Sequence, residues 1–231
     1  MPAAPVDAVL LDVGGVLHLP DHDRILTALA RAGAVVDPAL LDRAHYAGIA
    51  ALTTFTEGDA RIWRDYQVAY ARSLGVGDEL LEEVLEELSA EFTTGAVWRR
   101  VIPGSVEALR ALSATGRALA VVSNADGSVA DRLWADGICQ VGPGVGVPVQ
   151  AIVDSGVVGV AKPDPRIFRI ALEALGVEAS RAVHVGDTPE ADVLGARAAG
   201  VRPVLLDPFG LHEGIDCDRV ASLADLVDLL G

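Results

Sequence analysis

The feature that most constrains the fold is a set of short apolar runs that each stop at a polar residue. Val9-Leu10-Leu11 runs into Asp12, Ala118 to Val122 into Ser123-Asn124, Ala151-Ile152-Val153 into Asp154, and Ala182 to Val185 into Gly186-Asp187. Each run has the length of a strand buried on both faces. Between and after them, residues 104–115, 127–136, 165–175, 188–200 and 222–230 read as helices. Asp164 is the cap of the third, with Pro165 at its first position. Strands alternating with helices predict an α/β fold with a doubly wound, Rossmann-like parallel sheet. In such a sheet the carboxyl ends of the strands share one edge, where ligands and chemistry are placed. Asp12 followed by Gly14-Gly15 suits that use, and it also suits a solvated strand end with a tight turn. On this stretch alone both readings stay open.

Residues 18–100 break the alternation. His18 to Asp23 reads as a turn, and no strand is expected from there to about residue 95. Ile25, Leu26 and Leu29 share a helical face up to Gly33. Leu40, Leu41, Ala44 and Ala47 mark a second helix, and Ile62, Tyr66, Ala69 and Tyr70 a third that stops at Gly75. Asp78 is the expected cap of a fourth, striped by Leu80, Leu81, Val84, Leu85 and Leu88. The chain therefore reads as a core of residues 1–17 and 101–231 carrying an inserted helical bundle, 18–100.

Charge excludes some partners. With 33 acidic against 18 basic residues the net charge is −15, which disfavours nucleic acid and anionic membranes. Residues 138–161 are mostly apolar, but their glycines, two prolines and Asp154 mark loop and strand material rather than a membrane span. Cys139 and Cys217 lack metal-type spacing and read as reduced thiols. No basic start with an apolar signal core precedes the first strand, so a soluble, cytoplasmic setting is expected.

Four polar clusters converge on the predicted edge. They are Asp12, Ser123-Asn124, Lys162-Pro163 before a helix start, and Asp187 with Asp192. Three carboxylates within reach of each other repel unless a cation sits among them, and hard oxygens suit Mg²⁺. A hydroxyl, backbone N–H groups and the chain's single lysine, Lys162, suit the oxygens of a phosphoryl group. Asp192, in the first turn of its helix, can reach a metal through water or orient Lys162.

The motifs Leu11-Asp12-Val13-Gly14-Gly15-Val16-Leu17, Val122-Ser123-Asn124, Ala161-Lys162-Pro163-Asp164-Pro165 and Val185-Gly186-Asp187-Thr188-Pro189-Glu190-Ala191-Asp192 resemble the haloacid dehalogenase (HAD) superfamily. The resemblance covers nearly the whole chain, and residues 18 to about 100 resemble that family's helical cap. It implies that Asp12 is a nucleophile forming an aspartyl-phosphate. It implies Mg²⁺ on Asp12, Asp187 and the carbonyl of Gly14, with Asp192 nearby. Ser123 and Asn124 would hold phosphate oxygens, and Lys162 would neutralise their charge. The expected substrate is a small phosphorylated metabolite, and the expected assembly a monomer or homodimer.

The sequence departs from the family at one position. Its phosphatases usually carry a second Asp two residues after the nucleophile, as general acid–base, and here that residue is Gly14. His18 or Asp21 are candidate substitutes. Otherwise the enzyme is slow, its substrate has a good leaving group, or the protein binds phosphorylated ligands without turnover. A 2-haloacid dehalogenase is the runner-up enzyme, although Gly186-Asp187 with Asp192 reads as a metal site. Phosphonate-type Schiff-base chemistry is excluded because residues 18–100 contain no lysine. Trp63, Tyr66, Tyr70 and Trp98 read as core or pocket lining. Arg61 and Arg64 read as a solvated face or a second anion contact.

Overall fold

The computed structural model describes residues 5–52, 60–93 and 95–231. In chain order it contains β1 (Ala8–Leu11), β2 (His18–Pro20), α1 (His22–Arg31), α2 (Leu41–Ala50), α3 (Ala60–Ser73), α4 (Leu81–Thr93) and β3 (Trp98–Val101). The chain continues with α5 (Ser105–Ala114), β4 (Ala118–Ser123), α6 (Val129–Ala135), β5 (Cys139–Val141), β6 (Val147–Val149), β7 (Ala151–Asp154), α7 (Ser155–Val158) and α8 (Pro165–Leu175). It ends with β8 (Ala182–Gly186), α9 (Gly195–Ala198), β9 (Arg202–Leu206), β10 (Asp218–Val220) and α10 (Leu223–Leu230).

Six strands form one parallel sheet in the order β10-β9-β8-β1-β4-β7. The period-two alternation of the strands divides the core. Val9 and Leu11 of β1, with Leu119 and Val121 of β4, face a layer containing Leu109 and Leu112 of α5 and Leu223 and Leu226 of α10. Ala8 and Leu10, with Ala120 and Val122, face Ile167, Phe168 and Ala171 of α8 and Ala196 of α9. Both faces of the central strands are thus covered, which is why these runs are continuously apolar. Full burial of one such Val or Leu contributes about 1.5–3 kcal/mol. The doubly wound sheet expected from the sequence is present. Asp164 caps α8 and Ser222 caps α10, each by accepting a backbone N–H.

Helices α1 to α4 have their own core. Ile25, Leu29, Leu41, Ala44, Tyr66, Tyr70, Val84 and Leu88 are buried together. Two short strands lead in and out of them: β2 and β3 pair antiparallel. This corrects the turn expected at 18–23, since His18, Leu19 and Pro20 are strand. Pro20 and the Arg99-Arg100 pair hide the pattern, and the pairing joins segments some eighty residues apart. Asp78 is not the cap of α4 either. It lies inside a 3₁₀ turn that Gly77 precedes, and it pairs with Arg72. The helix expected over 188–200 is a π-helical turn, Pro189–Leu194, continued by α9. The small parallel pair β5 and β6 lies in the stretch 138–161 read as loop and strand material, whereas the edge strand β10 carried no signal read from the sequence.

Among the described residues no helix is long and apolar enough to cross a membrane. Cys139 and Cys217 are free thiols. Tyr66 and Tyr70 are core, whereas Trp63 and Trp98 line a cavity. Arg64 pairs with Glu82 at 2.7 Å on an exposed face. The side chains of Arg61 and Ile62 lie outside the described residues.

Candidate active site

β1 runs between β4 and β8, so the residues that end these three strands meet at one edge. Asp12 follows β1, its N–H donating to Val185 O at 2.9 Å. Ser123 ends β4, and Asp187 follows β8. Two glycines permit the close approach. At Gly15, with φ +66°, an added Cβ would sit 1.9 Å from Asp187 Oδ2. At Gly186 it would sit 2.1 Å from Asp192 Cγ. Real Cβ atoms do not come this close, so both positions require glycine for the carboxylates to stand where they do. One oxygen from each of Asp12, Asp187 and Asp192 lies within 4.8 Å of the others.

Lys162 is 2 % exposed, and its ammonium is the cation among them. Nζ lies 2.8 Å from Asp12 Oδ1 and donates to Asp192 Oδ1 at 2.7 Å. Asn124 holds the backbone of this residue: its Oδ1 accepts Lys162 N–H at 2.7 Å, and its Nδ2 donates to Lys162 O at 2.9 Å. Asp192 is fully engaged. Oδ1 also accepts from His184 Nε2 at 2.8 Å, and Oδ2 accepts Thr188 N–H at 3.0 Å. Of the two roles read for Asp192, these are the contacts of the one that orients Lys162. Asn124 likewise spends its side chain on Lys162. Asp154 accepts the N–H groups of Gly127 and Val129 and so shapes the loop after Ser123.

The charges tune one another. Burial pushes the Asp12 carboxyl up to about 7, against the pull of Lys162 and with the help of Asp192 and Asp187. Burial works against the charge of Lys162 too, but Asp12 and Asp192 outweigh it and hold the ammonium above its usual range. Burial would raise Asp192, yet the charge of Lys162 and the hydrogen bond from His184 hold its carboxyl below the usual range. Burial also lowers His184, which keeps a neutral imidazole beside the lysine.

A cavity of about 320 Å³ opens on this edge. Asp12, Gly14, Ser123, Asn124, Lys162 and Asp187 form its floor, while Ile49, Leu52, Trp63, Phe92 and Trp98 form an apolar wall opposite. The candidate substitutes for the missing acid are used elsewhere. His18 is fully buried with Nε2 3.0 Å from Asp136 Oδ2, and Asp21 caps α1 by accepting Arg24 N–H.

A family model for haloacid dehalogenase-like hydrolases matches residues 6–200. The chain belongs to this family. It is 34% identical over 145 residues to the mouse haloacid dehalogenase-like hydrolase domain-containing protein 3, covering 62% of this chain and 55% of that protein. It is 52% identical over 67 residues to a phosphoserine phosphatase of Thermus thermophilus, covering 29% and 27%. The matched stretch thus spans about half the length of the first relative and about a quarter of the second. The crystal structure of a HAD phosphatase from Thermococcus onnurineus shares the fold over 98% of both chains, with a TM-score of 0.59 at 22% identity.

Sequence reasoning missed His45 of this HAD-like chain. It lies on α2, is 1 % exposed, and reaches down so that Nε2 is 3.0 Å from Asp187 Oδ2. Its neighbour Tyr46 donates to Gly15 O at 2.7 Å. The signal was a histidine on the apolar face of a helix, beside Leu41, Ala44 and Ile49. A core histidine gives the same pattern.

Proposed function

We propose that the protein is a Mg²⁺-dependent hydrolase of small phosphomonoesters, acting through an aspartyl-phosphate on Asp12. The observation that carries this reading is the shared cavity of Asp12, Ser123, Lys162 and Asp187 at the carboxyl edge of the sheet. Three carboxylates with one lysine leave the cluster negative, and clustered hard oxygens fit a small divalent cation. Asp12, Asp187 and the carbonyl of Gly14 would hold the ion, which when bound screens the carboxylates and polarises phosphoryl oxygens. Lys162 would hold the phosphoryl group with the Ser123 hydroxyl, while Asp192 and Asn124 fix Lys162. Asp12 Oδ1 is held by Lys162, and Oδ2 would attack phosphorus in line, breaking the ester bond. Water would then hydrolyse the aspartyl-phosphate to phosphate and Asp12. Residues 18–100 would act as a cap on a core of 1–17 and 101–231, closing over the cavity and excluding water. A small phosphorylated metabolite fits the cavity volume, and the name of the Thermus relative points to substrates of that size.

Turnover of p-nitrophenyl phosphate, with Mg²⁺ or EDTA and beside Asp12→Asn, tests the proposal. The expected result is activity that EDTA abolishes and that Asp12→Asn lacks. Full activity in either condition would overturn it. The absent side chain at Gly14 favours a second reading, a protein that binds phosphorylated ligands without turnover. Tight phosphate-ligand binding with no turnover would select that reading, and metal-independent turnover of chloroacetate would select a dehalogenase.

A further inference from the structure

We infer that the substrate is the phosphate ester of an uncharged aromatic alcohol, whose ring lies against the tryptophan-lined wall of the active-site cavity; the inference rests on the phosphatase reading above and names the substrate class of that site.

In-line attack by Asp12 puts the leaving oxygen on the far side of phosphorus from that carboxylate. With the phosphoryl group on the floor of Asp12, Ser123 and Lys162, the alcohol half of the ester enters the space bounded by Ile49, Leu52, Trp63, Phe92 and Trp98. Helices α2, α3 and α4 and strand β3 all contribute to this wall. Gly14 keeps the space open. A Cβ there would already lie 3.8 Å from Trp98 Cζ3, so a longer side chain would press on the indole or fill the gap beside it.

The rings of the wall are fixed in place. Trp63 meets Tyr66 edge-on, with centroids 5.6 Å apart and 78° between planes. Phe92 meets Tyr66 at 5.3 Å and 87°, and Tyr70 at 5.9 Å and 74°. Trp98 packs against Phe92 at 5.9 Å. Tyr66 and Tyr70 are buried, so the three lining rings rest on a packed aromatic core. Rings held this way lose little freedom when a ligand ring joins them, and aromatic pairs are favoured at centroid separations of about 4.5–7 Å.

Charge says what the alcohol half lacks. Beyond the floor, the described lining residues hold one carboxylate, Asp126, and one guanidinium, Arg132. These two lie 3.3 Å apart, and Arg132 also donates to Gly95 O at 3.3 Å. A second carboxylate or phosphate on the substrate would meet a cation already committed, a like charge beside it, and an apolar wall that solvates neither. An uncharged ring meets no such cost, and its burial is favourable.

Phosphonates, which present the same anionic head on a C–P bond and are not hydrolysed as esters, separate recognition from turnover. Calorimetry with Mg²⁺ on the whole chain measures the affinities of benzylphosphonate, ethylphosphonate and 3-phosphonopropionate. Benzylphosphonate should bind about tenfold or more tighter than either of the others. Trp63 is 41 % exposed, so Trp63→Ala removes a wall ring without opening the core, which thermal melting checks. In that variant the advantage of benzylphosphonate over ethylphosphonate should shrink by about two- to tenfold, and Trp63→Phe should keep most of it. Leu52→Asn, on the same wall, should shrink the advantage too and carries this arm if Trp63→Ala does not fold. Equal affinities in wild type, tighter binding of 3-phosphonopropionate, no binding of benzylphosphonate, or an advantage that the wall variants leave intact would each overturn the inference. Turnover of p-nitrophenyl phosphate that survives in Asp12→Asn would instead remove the phosphatase reading itself, whatever the affinities.

Discussion

Replacing Lys162 by Met removes the one ammonium that makes the three-carboxylate cluster tolerable, while keeping most of the apolar stem. The group is buried, 2.8 Å from Asp12 and 2.7 Å from Asp192. Removing one partner of a buried charge pair costs about 3–5 kcal/mol, because the other partner stays buried and unpaired. In a chain of this size 1 kcal/mol moves the melting temperature by about 2–4 °C. Lys162→Met without metal should therefore melt about 6–20 °C below wild type in alkaline buffer. The deficit should shrink in acid. Without Lys162 the forces left on Asp12 are burial and two like charges, which favour the protonated carboxyl. Turnover should fall by about 10²- to 10³-fold, the usual loss for one charged donor on the transition state. The assays are thermal melts in EDTA across the acid-to-alkaline range and p-nitrophenyl phosphate kinetics. A melting temperature in alkaline EDTA within about 2 °C of wild type would refute the claim that Lys162 offsets the cluster.

Other positions give sharper contrasts. Gly15→Ala places a Cβ against Asp187 at positive φ, so stability should fall by about 1–2 kcal/mol and turnover by about 10²-fold. Gly14→Ala, which meets only Trp98 at 3.8 Å, should fold as wild type; equal melting of the two variants would contradict the packing described. Asp12 has a folded pKa raised to about 7, so its protonation supports the fold below the ordinary carboxylate pKa of 3.8, and that support is lost as pH rises through 7. Asp12→Asn mimics the protonated form, so in EDTA it should melt above wild type in alkaline buffer and lose that advantage in acid. A variant less stable than wild type at alkaline pH would reverse the sign. Mg²⁺ at a hundred times its dissociation constant should stabilise wild type by about 2.7 kcal/mol, and Asp187→Asn should lose that gain; equal stabilisation of both proteins would place the ion elsewhere.

Much of this was legible because the sheet makes it so. Apolar runs ending in Asp12, Ser123 and Asp187 declare both a buried strand and the edge it points to, and parallel order brings the ends together. Lys162 stood out as the chain's single lysine. The strands β2 and β3 were not legible, since three and four residues with a proline and two arginines carry no period. His184 was hidden inside an apolar strand, although its Nε2 fixes Asp192. His45 was hidden for a different reason. Its partners Tyr66 and Asp187 are 21 and 142 residues away, and only the docking of α2 on the sheet edge joins them.

The central claim is that Asp12 carries the phosphoryl group, and rapid acid quenching during turnover of a radiolabelled phosphomonoester, followed by peptide mapping, tests it most directly. The account predicts label on the peptide containing Asp12 and none in Asp12→Asn. Turnover with the label on any other residue would contradict it.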